Sequence, residues 1–136
     1  MVNNTSDLKF GLENENSVLT FLKEKVNIDI IKTPKFHFFD FFSPQTNTYY
    51  ELKTRRVKHN TYPDTMCGAN KLNFAEQNPE NKYIFLYKFT DGLYYHEWDT
   101  EKQYEIRVGG RCDRGKIESS NYFYIKREDL KTFRNN

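Results

Sequence analysis

The sequence predicts a mixed α/β domain built around a central sheet, and three observations carry that expectation. A helical stripe opens the chain, three strand-like segments and a short second helix follow, and the remainder is mostly strand-like. Aromatic residues make up 17% of the chain, most of them Phe and Tyr, which favour strands. An Asp91-Gly92 pair between two aromatic runs is a hairpin signal. The chain has 136 residues. That is the size of one domain, since typical domains run about 100–150 residues, so residues 1–136 are read as a single unit.

The first element is a helix from about Asp7 to Lys25, with Ser6 or Asp7 available to cap its start. Leu12, Val18, Leu19, Leu22 and Val26 recur at helical spacing and form one stripe. A β-branched run, Val26 to Ile31, comes next and is closed by Pro34. Phe36 to Phe42 is apolar on both faces except at Asp40, the pattern of a strand covered on both sides. Turn residues fill Ser43 to Asn47, and Thr48 to Arg56 reads as the following strand.

Asn60 to Gly68 reads as a loop containing Pro63. The spacing predicts a short helix over Ala69 to Gln77, stopped by Asn78 and Pro79. Tyr83 to Phe89 and Leu93 to Trp98 are the two arms of the hairpin. Tyr104 to Val108 and Tyr122 to Ile125 are further strands, with a Gly-rich turn at Gly109 to Gly115 between them. Arg127 to Phe133 reads as a final short helix.

Composition excludes some classes. No stretch approaches the roughly 20 apolar residues of a membrane span. Met1 to Asp7 is polar and has no signal-peptide apolar core. A soluble, intracellular protein is expected. Cys67 and Cys112 lack the spacing of a disulfide framework or a zinc site and are read as reduced thiols. The net charge of +2 does not by itself demand a polyanionic partner. Basic residues nevertheless gather at Lys53, Arg55, Arg56, Lys58 and His59, and again at Arg107, Arg111, Arg114 and Lys116. Such clusters can hold phosphate. A solvated charged surface is the plainer explanation of either one.

The most informative stretch is FHFFDFFSPQTNTYYELKTRR. If Gln45 and Thr46 form the turn, paired residues sum to 91, and Asp40 sits opposite Glu51. Opposed side chains share a face with Cβ atoms about 4.5–5.5 Å apart. Lys53 and Arg55 share that face by alternation. Like charges so placed repel unless something positive lies between them. On the first helix, Glu15 falls within the apolar stripe, where an unpaired carboxylate is costly. A helix packed on the sheet can point it toward Asp40 and Glu51. Oxygen ligands with room for water suit Mg²⁺ or Mn²⁺. The plainer reading is a buried ion pair of Lys53 with Asp40 or Glu51, beside a half-exposed Glu15.

The order of a helix Glu, a strand Asp and a Glu-x-Lys strand before a second helix resembles the PD-(D/E)XK nuclease superfamily. The likeness covers Phe10 to Tyr87, and its most specific part is ELKTRR with Asp40 eleven residues before the Glu. One departure is visible: Phe39 stands where the motif's name has proline. The resemblance implies a restriction-endonuclease-like αβββαβ core, with the central mixed sheet flanked by helices and extra C-terminal strands. It implies metal binding by Asp40, Glu51 and the Leu52 main-chain carbonyl, a catalytic Lys53, and a supporting Glu15. Lys71, on the helix after the motif, matches a residue that often faces the site.

The expected function is Mg²⁺- or Mn²⁺-dependent hydrolysis of DNA, as a possible homodimer, with Arg55, Lys58, Lys71, Arg111 and Arg114 contacting the substrate. The rich Asn, Lys, Phe, Tyr and Ile usage hints at a viral or phage source. Two other classes compete. One is a non-catalytic nucleic-acid-binding module in which Lys53 merely bridges the acids. The other is an interaction protein that uses the aromatic hairpin.

Overall fold

The structure is a computed structural model and describes residues 4–113 and 116–133. In chain order it contains α1 (Asn4–Lys25), β1 (Ile31–Lys32), β2 (Phe41–Ser43), β3 (Thr48–Thr54) and β4 (Asp64–Gly68). Then come α2 (Ala69–Gln77), β5 (Lys82–Phe89), β6 (Gly92–Glu97), β7 (Glu105–Asp113) and β8 (Lys116–Lys126). A 3₁₀ turn, Arg127–Asp129, leads into β9 (Lys131–Thr132). Six strands form a sheet in the order β1-β2-β3-β5-β6-β9, and a second sheet has the order β4-β8-β7. Only β3 and β5 pair in parallel among the described strands, and the chain between them runs through β4 and α2. The mixed α/β class and central mixed sheet are as the sequence predicts.

β5, KYIFLYKF, is the middle of this arrangement. It is apolar on both faces because both are covered. Its Leu86 packs with Val18 and Leu22 of α1, Phe41 of β2 and Tyr50 of β3. Its Tyr83, Phe85, Tyr87 and Phe89 pack on the opposite face with Leu72 and Ala75 of α2 and Phe123 and Ile125 of β8. Burying each such large apolar side chain contributes roughly 1.5–3 kcal/mol. The alternation of β3 therefore matters. Tyr50 faces α1, while Glu51 and Lys53 face the side that α2 and the second sheet cover.

The β2–β3 hairpin keeps the expected register, with Phe41 opposite Tyr50 and Ser43 opposite Thr48. Its turn spans residues 44–47, and Asn47 takes a left-handed φ of 54°. The second hairpin also forms, but Phe89 pairs with Gly92, so Thr90 and Asp91 make the turn. Gly92 has φ 154°, a conformation that favours glycine.

Several expected boundaries are corrected. Phe36 to Asp40 is not strand but a run of turns and bends. The His37 N–H donates to the Pro34 carbonyl at 2.9 Å, and the Phe39 N–H to His37 Nδ1 at 3.0 Å, so local bonds replace a ladder. Phe36 is 92% exposed as a result. Val26 to Ile30 is likewise turn and irregular chain rather than strand. The end of the expected 60–68 loop is β4, whose ladder partner β8 lies about sixty residues on. The Gly109–Asp113 backbone extends β7 because β8 pairs along it. The expected last helix is a single 3₁₀ turn followed by β9, which adds to the edge of β6.

Candidate active site

The site forms where β2 stops and β3 continues. The β2–β3 ladder ends at the Phe41–Tyr50 pair, which leaves the Leu52 N–H without a strand partner on that side. The Asp40 carboxylate takes its place: Oδ2 accepts from the Leu52 N–H at 2.7 Å. The Asp40 N–H still donates to the Tyr50 carbonyl at 2.9 Å. Asp40 is thus fixed at both ends against β3, within reach of Glu51.

Glu51 is the buried centre of the cluster, with its side chain 5% exposed. Burial first, and the Asp40 charge second, push its carboxyl up to about 7. Two ammonium groups oppose that rise. Lys53 Nζ lies 3.4 Å and Lys71 Nζ 3.6 Å from the same Glu51 oxygen, Oε2. Lys71 comes from the first turn of α2, beside the buried Leu72, and also donates to the Phe38 carbonyl. Behind them lies Cys67 of β4, buried and held as a thiol. Desolvation and the Glu51 charge push it up to about 12.

Two carboxylates in contact, one of them raised to about 7, make a donor set that a hard divalent cation fits. A cation between them would offset the burial and the Asp40 charge that raise Glu51, and the Leu52 carbonyl lies between Glu51 and Lys53 in the chain.

A family model described as "Phage putative PDDEXK endonuclease" matches residues 4–134. The chain belongs to that family. No curated protein and no solved structure matches it. Membership in a PDDEXK endonuclease family bears directly on the Phe39 departure. Phe39 is 1% exposed, and its ring centroid is 5.2 Å from that of Tyr83. An aromatic fills a core position there, immediately before the acid.

The structure brings Asp40, Glu51, Lys53 and Lys71 together. Glu15 is placed elsewhere: its carboxylate pairs with Lys32 of β1 at 3.6 Å. Among the described residues, no three His, Cys, Asp or Glu side chains are close enough to hold a metal ion. The reason is geometric. The buried side of α1 packs on the face of the sheet opposite to Glu51.

Arg55 lies one residue past β3 and donates to the Met66 and Thr54 carbonyls, each at 3.3 Å. Lys58 is exposed in the loop beyond. The Arg111 side chain and all of Arg114 lie outside the described residues. Two features of the site escaped sequence reasoning. The Phe38 carbonyl is a main-chain atom and leaves no mark in the residue pattern. Cys67 lay inside a segment read as loop. None of the described helices is long and apolar enough to cross a membrane.

Proposed function

We propose that this chain is a divalent-metal-dependent nuclease that hydrolyses DNA phosphodiester bonds, acting as an endonuclease. Family membership supports the reaction class. The order α1, β1–β3, α2, β5, with β3 and β5 parallel, supports a restriction-endonuclease-like αβββαβ core into which β4 is inserted. The single observation that carries the proposal is the buried Glu51 carboxyl, raised to about 7 beside Asp40 and flanked by two lysines.

Asp40, Glu51 and the Leu52 carbonyl would hold Mg²⁺ or Mn²⁺. Such an ion supplies a grip on a phosphate oxygen and a lowered pKa for its bound water. The chain's own groups do the rest. The Leu52 N–H holds Asp40 in one orientation. Lys53, one-third exposed, is the ammonium that reaches outward to the phosphate. There it stabilises developing charge and orients the attacking water. Lys71, tied to the Phe38 carbonyl, keeps Glu51 in position. One site per chain cuts one strand, so the proposal extends to a homodimer for duplex cleavage.

One observation favours a second reading, a nucleic-acid-binding module. Lys53 and Lys71 both pair with Glu51 with no added ion. Incubation with linear, circular and branched DNA in Mg²⁺ or Mn²⁺ separates the two. The nuclease reading expects cleavage that falls at least about a hundredfold in Lys53→Ala, the scale for losing one charge-stabilising group. DNA affinity should be largely retained. Wild-type protein that binds DNA and never cuts it establishes the module instead.

A further inference from the structure

A cavity of about 280 Å³ opens beside the end of β3, at the small end of the roughly 300–1,000 Å³ typical of ligand sites. Val57, Met66, Phe89 and Leu130 give it apolar walls, and Tyr62 and Tyr124 give it aromatic ones. Its cations are unusual. Arg55 and Arg127 also line it, and their guanidinium groups are braced on the carbonyls of Met66 and Asn60. Lys58 lines it as well. None of these three has a carboxylate partner among the described residues. The one carboxylate in the wall, Asp64, shares Arg107 with Glu105, at 2.8 and 2.9 Å. The result is an apolar slot with more positive than negative charge around it.

We propose that this cavity receives an unpaired base of the DNA substrate while the surrounding cations hold its phosphates. A flat heterocycle with apolar faces matches the walls. A phosphate matches a guanidinium fork. The position agrees with the nuclease reading, on which this inference rests. Arg55 is two residues from Lys53, about 7 Å along an extended chain. Met66 of the cavity and Cys67 of the buried cluster are neighbours on β4. A nucleotide next to the cleaved phosphate therefore reaches the slot. A stacked and paired base does not enter it. The preferred substrates are then DNAs with an unpaired nucleotide beside the cut, such as flaps, single-stranded ends or branch points.

Two measurements test this, and the first needs no cleavage. Titrate metal-free protein with deoxyadenosine monophosphate and follow the methyl resonances of Thr65, Met66 and Leu130. Saturable shifts are expected with the nucleotide, and at least about fivefold weaker binding with base-free deoxyribose 5-phosphate, which keeps only the phosphate contacts. Tyr62 is 61% exposed, so Tyr62→Ala folds and should weaken the effect at least about fivefold, the lower end for one base–aromatic stack. Thr65→Trp, which fills the slot, should remove it. Equal shifts from the base-free compound, or none from either, overturn the proposal.

The second measurement compares cleavage of flapped and fully paired duplexes. A preference for the flap that Tyr62→Ala diminishes is expected. Equal cutting of both overturns the proposal and leaves the nuclease reading intact. Base-dependent shifts in a protein that cuts no DNA leave the cavity standing and remove the nuclease.

Discussion

Two buried polar clusters in this molecule differ in what burial does to the charges they hold. Around His96, every polar atom has an answer. Nδ1 lies 3.1 Å from the Asp129 carbonyl, and Nε2 lies 2.8 Å from Tyr104 Oη. That hydroxyl in turn accepts from the Asp99 N–H at 2.9 Å, and Lys102 pairs with the Asp129 carboxylate. Around Glu51 the atoms are also partnered, but the charge is costly: burial first and the neighbouring Asp40 second push the carboxyl up to about 7 despite two lysines. A cluster whose groups satisfy one another needs nothing further and reads as structural. A cluster held together against like-charge repulsion is where a ligand has something to offset.

The largest expected effect sharpens this contrast through pH. Glu51 has a folded-state pKa raised from 4.5 to about 7, so the fold prefers it protonated. Its contribution to stability is full below about 4.5 and is lost as pH rises through about 7. Glu51→Gln, neutral at every pH, should therefore be more stable than the wild type at pH 8 without metal. The expected gain is roughly 3–4 kcal/mol, at about 1.4 kcal/mol per pKa unit. At pH 4 the two should be nearly equal. Urea unfolding in a chelating buffer measures both, and addition of Mg²⁺ should narrow the gap by stabilising only the wild type. A Gln variant no more stable at pH 8 would remove the distinction between the clusters.

The sequence made the Asp40–Glu51 pairing legible because turn residues and strand alternation fix a hairpin register locally. That register held even though β2 ends before Asp40. The α2 limits were legible for the same local reason, since Asn78 and Pro79 stop the helix. Information carried by distant partners was not legible. β4 is a strand because β8 pairs with it, and no signal inside Asn60 to Gly68 announces that partner. Of the α1 stripe, Val18 and Leu22 are buried while Val26, past the helix end, is 43% exposed, and the stripe does not say which face of the sheet the helix covers, the choice that sends Glu15 toward Lys32. Lys71 was reached through resemblance rather than through its weakly patterned helix.

The next effect is smaller and opposite in sign. Burial, the leading cause, lowers the His96 pKa below 6.5, so the fold prefers the neutral ring. The Asp129 carbonyl and carboxylate and Asp99 oppose that shift, while Lys102 adds to it. The contribution is present above about 6.5 and is lost as pH falls through the lowered value. His96→Ala should cost about 2 kcal/mol at pH 7.5 by leaving the Tyr104 hydroxyl and the Asp129 carbonyl short of a partner. It should also flatten the acid side of the stability profile, with DNA cleavage unchanged. Cleavage lost along with stability would mean that the His96 cluster is more than structural.

The smallest effect comes from making the same change in both clusters. Lys102 and Asp129 are each about one-third exposed, so water already screens their ion pair. Lys102→Gln should change stability by less than about 1 kcal/mol, the usual worth of an exposed pair, and leave cleavage alone. Lys71 is 16% exposed and faces a carboxylate that is 5% exposed. Lys71→Gln removes one of the two charges that hold the Glu51 pKa down, so it should raise that pKa further and shift the onset of metal-dependent cleavage to higher pH. Parallel pH profiles of unfolding and of cleavage for the two variants decide the matter. If Lys102→Gln moves the cleavage profile as far as Lys71→Gln does, then proximity to Glu51 is not what gives a lysine its role in this fold.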